Sequence, residues 1–216
     1  GPPPDLVTDG MVLGLGTGST VAFFLDELAA RGLDVRGIPT SEATAEACRR
    51  HGIELVGTAD VEQVDLAVDG ADELDTALRL VKGGGGALLR EKVVAAMARE
   101  FVVIATVDKV VDRLGDSFPL PVEVVPFAVA PVTRNIAALG FEVTTRAEGL
   151  TPTDNGNAVL FCHLAGGIAD LWSTEQELRA IPGVVCTGLF LDMANVALLG
   201  DADGGVERLE AHATAE

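Results

Sequence analysis

The stretch Met11-Val12-Leu13-Gly14-Leu15-Gly16-Thr17-Gly18-Ser19-Thr20 decides how the rest of the chain reads. An apolar, strand-like run enters a glycine-rich turn, after which Val21, Phe24, Leu25 and Leu28 recur at helical spacing. This strand, turn and helix form the opening of a βαβ unit. Working outward, short β-branched runs over 35–40, 54–56, 66–68, 78–81 and 101–105 alternate with amphipathic stretches, among them Ala87, Leu88, Val94 and Met97. That alternation predicts an α/β fold with a Rossmann-like, mostly parallel sheet.

Around Phe118-Pro119-Leu120-Pro121 the punctuation changes. The next elements read strand 122–125, helix 132–139, strand 141–145, strand 158–163, helix 174–180 and strand 184–190. This order predicts an inserted small α+β domain of the ferredoxin-like, split βαβ kind. The turn Asp154-Asn155-Gly156-Asn157 carries residues that tolerate positive φ, as a hairpin link between the two middle strands requires. Residues 195–199 then return to the main sheet and leave an acidic, solvated tail. The expected domains are 5–118 with 194–216, a Rossmann-like catalytic domain, and 119–193, the insert.

Composition narrows the function. The 216 residues are 48% hydrophobic and 22% charged, enough for a substantial core. The longest apolar runs fall far short of the ~20 residues of a membrane span, so no membrane association is expected. The leading Gly1-Pro2-Pro3-Pro4 has neither the basic nor the apolar region of a signal peptide and is set aside. Three cysteines, Cys48, Cys162 and Cys186, stand at no zinc-ligand or redox spacing, and His51, His163 and His212 are isolated. No metal is expected, and a reducing, cytoplasmic location is. A formal charge of -18 argues against nucleic acid, whose recognition needs a basic face. The expected partner is a small molecule.

Four segments carry chemistry. In the turn 14–20 the glycines let the backbone approach an anion at a helix N-terminus, with Thr17, Ser19 and Thr20 as hydroxyl donors. A nucleoside-triphosphate loop would need a lysine where Gly18 stands, and the dinucleotide fingerprint a glycine or alanine in place of Ser19. Neither cofactor fits, although a plain capped turn does.

Asp69-Gly70-Ala71-Asp72-Glu73 brings three carboxylates to the carboxyl end of a strand, the edge where α/β sheets bind ligands; a proton-transfer pair, a metal site and an exposed acidic turn are all compatible with it. Lys82-Gly83-Gly84-Gly85-Gly86 sets an ammonium group at another strand end before a mobile backbone, with Glu91 on the first turns of the following helix. Lys109 follows the strand over 101–105. Lys92 reads as an exposed neighbour of Glu91.

In this order the motifs resemble the A-type ribose-5-phosphate isomerases. The resemblance rests on 14–20, Thr40-Ser41 with Thr44, 69–73, 82–88 with Glu91-Lys92, Lys109, Leu120-Pro121-Val122-Glu123-Val124 and Thr153-Asp154-Asn155-Gly156-Asn157, and it covers roughly residues 10 to 200. It implies interconversion of ribose 5-phosphate and ribulose 5-phosphate through an enediolate, without cofactor or metal. It implies that Glu91 takes the carbon-bound proton, Asp69 shuttles a proton between the oxygens, Asp72 positions the sugar and shares that work, and Lys82 stabilises the enediolate.

Thr17, Gly18, Ser19, Thr20 and Lys109 would hold the phosphate, and Gly70, Ala71, Gly83, Gly84 and Gly85 would contact the substrate. Family members bind the open-chain sugar and are often homodimers or homotetramers. The chain departs from the family at Asp108, where serine is common, at Asn195, where an acidic residue is common, and in having only residues 5–10 before the first strand. Two other readings share parts of the pattern: an acyl-CoA transferase using a glutamate nucleophile, and a sugar-phosphate sensor without turnover, for which no basic helix-turn-helix is visible.

Overall fold

The computed structural model describes residues 6–146, 149 and 152–211. Residues 1–5, His212 and the rest of the C-terminal stretch lie outside them. In chain order the elements are β1 (Val12–Leu15), α1 (Ser19–Arg31), β2 (Arg36–Pro39), α2 (Glu42–His51), β3 (Glu54–Leu55), β4 (Val64–Asp69), β5 (Glu73–Leu74), β6 (Leu80–Val81), α3 (Leu88–Met97) and β7 (Ala98–Thr106). They continue with β8 (Leu120–Val124), α4 (Val129–Ala138), β9 (Glu142–Thr144), β10 (Ala158–His163), α5 (Leu171–Arg179), β11 (Val184–Thr187), β12 (Leu189–Phe190), β13 (Val196–Gly200) and β14 (Val206–Glu210). Two compact units emerge. One comprises the chain to Ala71, Arg90–Asp108 and the chain from Asp192; the other comprises Asp72–Leu89 and Lys109–Leu191.

The first unit is a seven-stranded sheet in the order β14-β13-β7-β4-β1-β2-β3. Every neighbouring pair is parallel except β13 with β14. Leu13, Leu15, Leu66, Val68, Val102 and Ile104 are buried with Val21, Phe24, Leu25 and Leu28 of α1, the helical stripe visible in the sequence. Val94 of α3 packs on the sheet where Gly14 makes room, since a Cβ there would stand 2.4 Å from Val94 Cγ1. Helix α2 begins at Ser41, whose hydroxyl accepts the Thr44 N–H, and ends at Gly52 with φ 71°.

In the second unit, along the succession β8, α4, β9, β10, α5 and β11, the four strands form an antiparallel sheet in the order β11-β8-β10-β9. Numbered within this unit, that is 4-1-3-2, the split βαβ order expected from the sequence. Leu120, Val122, Val124, Val132, Ile136, Leu160 and Leu178 fill its core. A small antiparallel sheet, β12-β6-β5, belongs to the same unit.

Four sequence expectations change. The strand over 78–81 is only Leu80–Val81, because Leu78 takes φ 58° in a turn whose N–H groups, from Ala77 and Arg79, are held by Asp75; β6 pairs outside the main sheet. That pairing, and the hold of Glu73 on the backbone of 115–118, put 72–89 and 109–118 with the second unit, whereas the sequence reading places them with the first. The acidic tail is not wholly solvated chain: Val206–Glu210 pairs along β13 as an antiparallel edge strand. The Asp154 to Asn157 turn exists, with Gly156 at φ 77° and a Thr153 N–H to Asn157 O bond of 2.8 Å, but it is a closed loop before β10, since β9 already ends at Thr144.

Candidate active site

Within the first unit, Thr17 to Thr20, Asp69 and Glu91 come from three elements or their ends. The glycine-rich turn leaves β1 and enters α1 through Gly18, which caps the helix at φ 121° without a side-chain cap; Ser19 and Thr20 are exposed. The helix therefore presents free backbone donors and the positive end of its dipole at an open surface. Thr17 differs from its neighbours. Its hydroxyl sits 2.9 Å from Thr40 Oγ1, 2.8 Å from Ser41 Oγ and 3.3 Å from Thr44 Oγ1, while Thr44 Oγ1 donates to Gly16 O at 2.8 Å. This hydroxyl cluster builds the turn from inside.

Asp69 ends β4, adjacent to β1, and is buried at 4% exposure. Its Oδ1 accepts the Thr17 N–H at 3.2 Å and the Gly70 N–H at 2.7 Å. The approach depends on Gly16, where a Cβ would fall 2.1 Å from Asp69 Cγ.

Glu91 lies in the first turn of α3 and is also buried, at 5% exposure. It stands three positions before Val94, so both share the face turned to the sheet. Helix α3 runs directly into β7, so it ends at the amino edge of the parallel strands and starts at their carboxyl edge, the edge on which Asp69 and the turn stand.

In the second unit the expected residues Lys82, Asp72 and the glycine turn stand on adjoining segments. The Lys82 side chain is buried at 3% exposure, with Nζ 5.4 Å from the centroid of the Phe190 ring. Its backbone N–H donates to Gly188 O at 2.9 Å, and a Cβ on Gly188 would lie 2.3 Å from Lys82 O. The half-buried Asp72 accepts the Gly84 N–H on Oδ2 at 2.8 Å, and a Cβ on Gly84 would stand 2.7 Å from Asp72 Oδ1 and from Phe118 Cζ. Two of the four glycines, Gly83 and Gly86, hold positive φ, and the Gly86 N–H closes the turn on Gly83 O at 2.9 Å. Gly85 is exposed.

Lys109 is half-buried at the end of a 3-10 turn directly after β7, beside the exposed Asp108. Gly70 and Ala71 are half-buried in the link between Asp69 and Asp72.

Of the three carboxylates in 69–73, one has a different task. Glu73 is buried, and its two oxygens accept the N–H groups of Gly115, Ser117 and Phe118 at 2.6, 2.7 and 2.6 Å. It fixes a loop through three backbone N–H groups, a task neither Asp69 nor Asp72 shares. Glu123 likewise anchors the Thr153 to Asn157 motif: its Oε1 accepts from Thr153 Oγ1, Asn155 Nδ2 and Asn157 Nδ2 at 3.0, 3.2 and 2.9 Å. Asn195 has a structural explanation too. Its Oδ1 accepts the Phe101 N–H at 2.7 Å and its own N–H donates to Phe101 O, joining the start of β13 to β7. Among the described residues no group of three or more His, Cys, Asp or Glu could hold a metal ion, and no helix is long and apolar enough to cross a membrane.

The profile of the family described as ribose 5-phosphate isomerase A (phosphoriboisomerase A) matches residues 36–204. The chain is 51% identical over 211 residues to ribose-5-phosphate isomerase A of Roseiflexus castenholzii, covering 94% of this chain and 90% of that protein. The chain belongs to the ribose 5-phosphate isomerase A family. It is 46% identical to the family member of Thermosynechococcus vestitus over 210 residues, 93% of this chain and 89% of the relative.

Two solved structures of ribose 5-phosphate isomerases agree over nearly the whole fold. That from Methanocaldococcus jannaschii superposes with a TM-score of 0.89 at 42% identity, covering 95% and 93% of the two chains. A D-ribose-5-phosphate isomerase in complex with phospho-erythronic acid gives 0.90 at 37% identity, with the same coverage. Arg146 is the residue near these groups that the sequence reading did not anticipate. Its guanidinium donates from Nη2 to Gly84 O, and nothing in its sequence neighbourhood marks it.

Proposed function

We propose that this chain, an aldose–ketose isomerase of D-ribose 5-phosphate and D-ribulose 5-phosphate, moves the substrate proton with Glu91 and steers the enediolate with Asp69, Asp72 and Lys82. The observation that carries the assignment is the burial of Asp69 and Glu91 at the carboxyl edge of one parallel sheet, beside the open N-terminus of α1. A phosphate anchored by the N–H groups of Gly18, Ser19 and Thr20, with the Ser19 and Thr20 hydroxyls and Lys109, fixes one end of an open-chain pentose. Anchoring one end orients the reacting carbons at the other.

Glu91 takes the proton from C2 of the aldose and returns it to C1, and the reverse direction uses the same carboxylate. Asp69 carries the proton between O1 and O2, assisted by Asp72. The Lys82 ammonium offsets the negative charge that develops on the enediolate oxygens. Gly70, Ala71, Gly83, Gly84 and Gly85 let the backbone approach the sugar. No cofactor enters these steps, which place the enzyme in the non-oxidative branch of pentose phosphate metabolism.

Two further properties belong to this reading. The three cysteines form no disulfide and are buried, which supports a reducing, cytoplasmic location. Resemblance to the family supports a homodimer or homotetramer, which light scattering would test. The function itself is tested by incubating ribose 5-phosphate with the purified chain and a chelator and measuring ketose. Formation of ribulose 5-phosphate is expected, whereas an acyl adduct on Glu91 after incubation with acyl-CoA would favour transferase chemistry instead.

A further inference from the structure

Arg146 follows β9 by two residues, and its guanidinium lies over the Phe161 ring of β10, with Cζ 5.9 Å from the centroid. From there Nη2 donates to the carbonyl of Gly84. The same nitrogen would stand 3.6 Å from a Cβ on Gly86, so the guanidinium fills the space beside the glycine turn. On its other side Gly84 donates its N–H to Asp72 Oδ2 at 2.8 Å. A continuous chain of contacts thus runs from the Phe161 ring through Arg146 and Gly84 to the Asp72 carboxylate. Every member lies in the second unit.

A backbone of four consecutive glycines has few intrinsic restraints, and Gly83 and Gly86 already use conformations that other residues avoid. The middle peptides of such a turn need an external hold to keep one orientation. The described residues contain no cis peptide bond, and in a trans peptide the N–H points opposite to the C=O of the same unit. Pinning the Gly84 carbonyl therefore also sets the direction of the Gly85 N–H. A charged guanidinium suits this task because its donors form a rigid, planar fork and its face stacks on an aromatic ring.

We propose that Arg146 is a positioning residue for the isomerisation: through the Gly84 carbonyl it fixes the Asp72 carboxylate and the plane of the Gly84–Gly85 peptide where they meet the sugar. The proposal rests on the reading that Asp72 and this glycine loop contact the substrate. Arg146 itself does not exchange protons with the sugar. Its loss leaves the phosphate anchor intact, so it acts on kcat more than on KM.

The test compares the wild-type chain with Arg146→Ala and Arg146→Lys. In Arg146→Ala, kcat for ribose 5-phosphate falls about 10- to 100-fold, the scale of a small misplacement of reacting groups. KM changes by no more than about threefold, as befits a lost orienting contact. Arg146→Lys, which keeps one donor but loses the planar stack, is intermediate, and guanidinium ion added below its denaturing range restores part of the Arg146→Ala activity.

In parallel, nitrogen-15 amide spectra of the two chains report the loop directly, with the Gly84 and Gly85 resonances displaced in Arg146→Ala. Unmoved Gly84 and Gly85 amides overturn the proposal. So does a kcat within about twofold of wild type, or a loss that follows the unfolded fraction with no response to guanidinium. A wild-type chain without isomerase activity defeats the isomerase reading instead, and the amide spectra then decide the coupling of Arg146 to Gly84 on their own.

Discussion

Asp69 Oδ1 accepts the backbone N–H of Thr17 at 3.2 Å, so the carboxylate at the end of β4 and the turn that leaves β1 are built as one piece. The proposed proton carrier and the proposed phosphate anchor share a hydrogen bond. A change that moves one moves the other, and Gly16 is the position where that is most easily provoked.

Gly16→Ala is expected to displace Asp69, because the new methyl would sit 2.1 Å from Asp69 Cγ and 2.6 Å from its Cβ. Two main-chain neighbours and the buried strand leave little room to yield. Steady-state kinetics should show kcat/KM lower by about 100-fold or more, in line with the cost of a misplaced reacting group. Circular dichroism should show the α/β fold retained.

Glu91→Gln keeps the shape of the side chain and removes its basicity. With Glu91 as the carbon base, kcat falls about 10²- to 10⁴-fold while affinity for the sugar phosphate is kept. Calorimetric titration with ribose 5-phosphate against the variant checks the second half of that statement. Full activity in Glu91→Gln would remove the residue from the mechanism.

Glu123→Ala tests a structural site. The change removes a buried carboxylate and leaves the half-buried Thr153 and Asn157 and the exposed Asn155 without the oxygen that all three use. Stability should fall by about 2–5 kcal/mol, the cost of losing three hydrogen bonds to a charged group and leaving a cavity where the buried side chain stood. In a chain of this size that corresponds to a melting temperature lower by about 5–15 °C, measured by scanning calorimetry. KM of the protein that remains folded should stay within about twofold of wild type, since these groups orient no substrate.

Much of this was legible in the sequence because local chemistry and fold agreed. The helical stripe Val21, Phe24, Leu25 and Leu28 fixed α1, and the turn residues of 14–18 fixed its start. Order alone gave the split βαβ arrangement of β8 to β11. What escaped the sequence depends on distant partners. Glu73 and Asp72 are neighbours in a row of acids, and only the N–H groups of Gly115, Ser117 and Phe118 tell them apart. Leu80–Val81 looks like any buried parallel strand until its antiparallel partner Leu189–Phe190 is seen. Residues 206–210 are polar enough to read as tail, yet a single ladder to β13 suffices to make them an edge strand. Arg146 acts across 62 positions in sequence, and no pattern around it signals Gly84.

Alkaline stability offers an independent test of the two cores. Burial pushes the Cys48 thiol up to about 11 from its ordinary 9.0, with a backbone hydrogen bond and the charge of Arg49 offsetting part of the shift. Burial pushes Cys162 up to about 12. The folded state therefore favours the protonated thiols. Their contribution is fully present below pH 9, where both states hold the proton, and is lost as pH rises through the folded values of about 11 and 12. The chain contains no tyrosine and only three lysines, so few other groups titrate in that window. Denaturant midpoints measured at pH about 8 and about 10.5 should show the decline.

Isotope exchange at carbon reports the role of Glu91 itself. Ribose 5-phosphate is incubated in heavy water with the wild-type chain and a chelator, and the sugar is followed by proton NMR. With Glu91 as the carbon base, ribulose 5-phosphate gains solvent deuterium at C1 and ribose 5-phosphate is slowly labelled at C2, and Glu91→Gln loses both. Undiminished ketose formation and undiminished carbon labelling by Glu91→Gln would contradict proton transfer through an enediolate by Glu91.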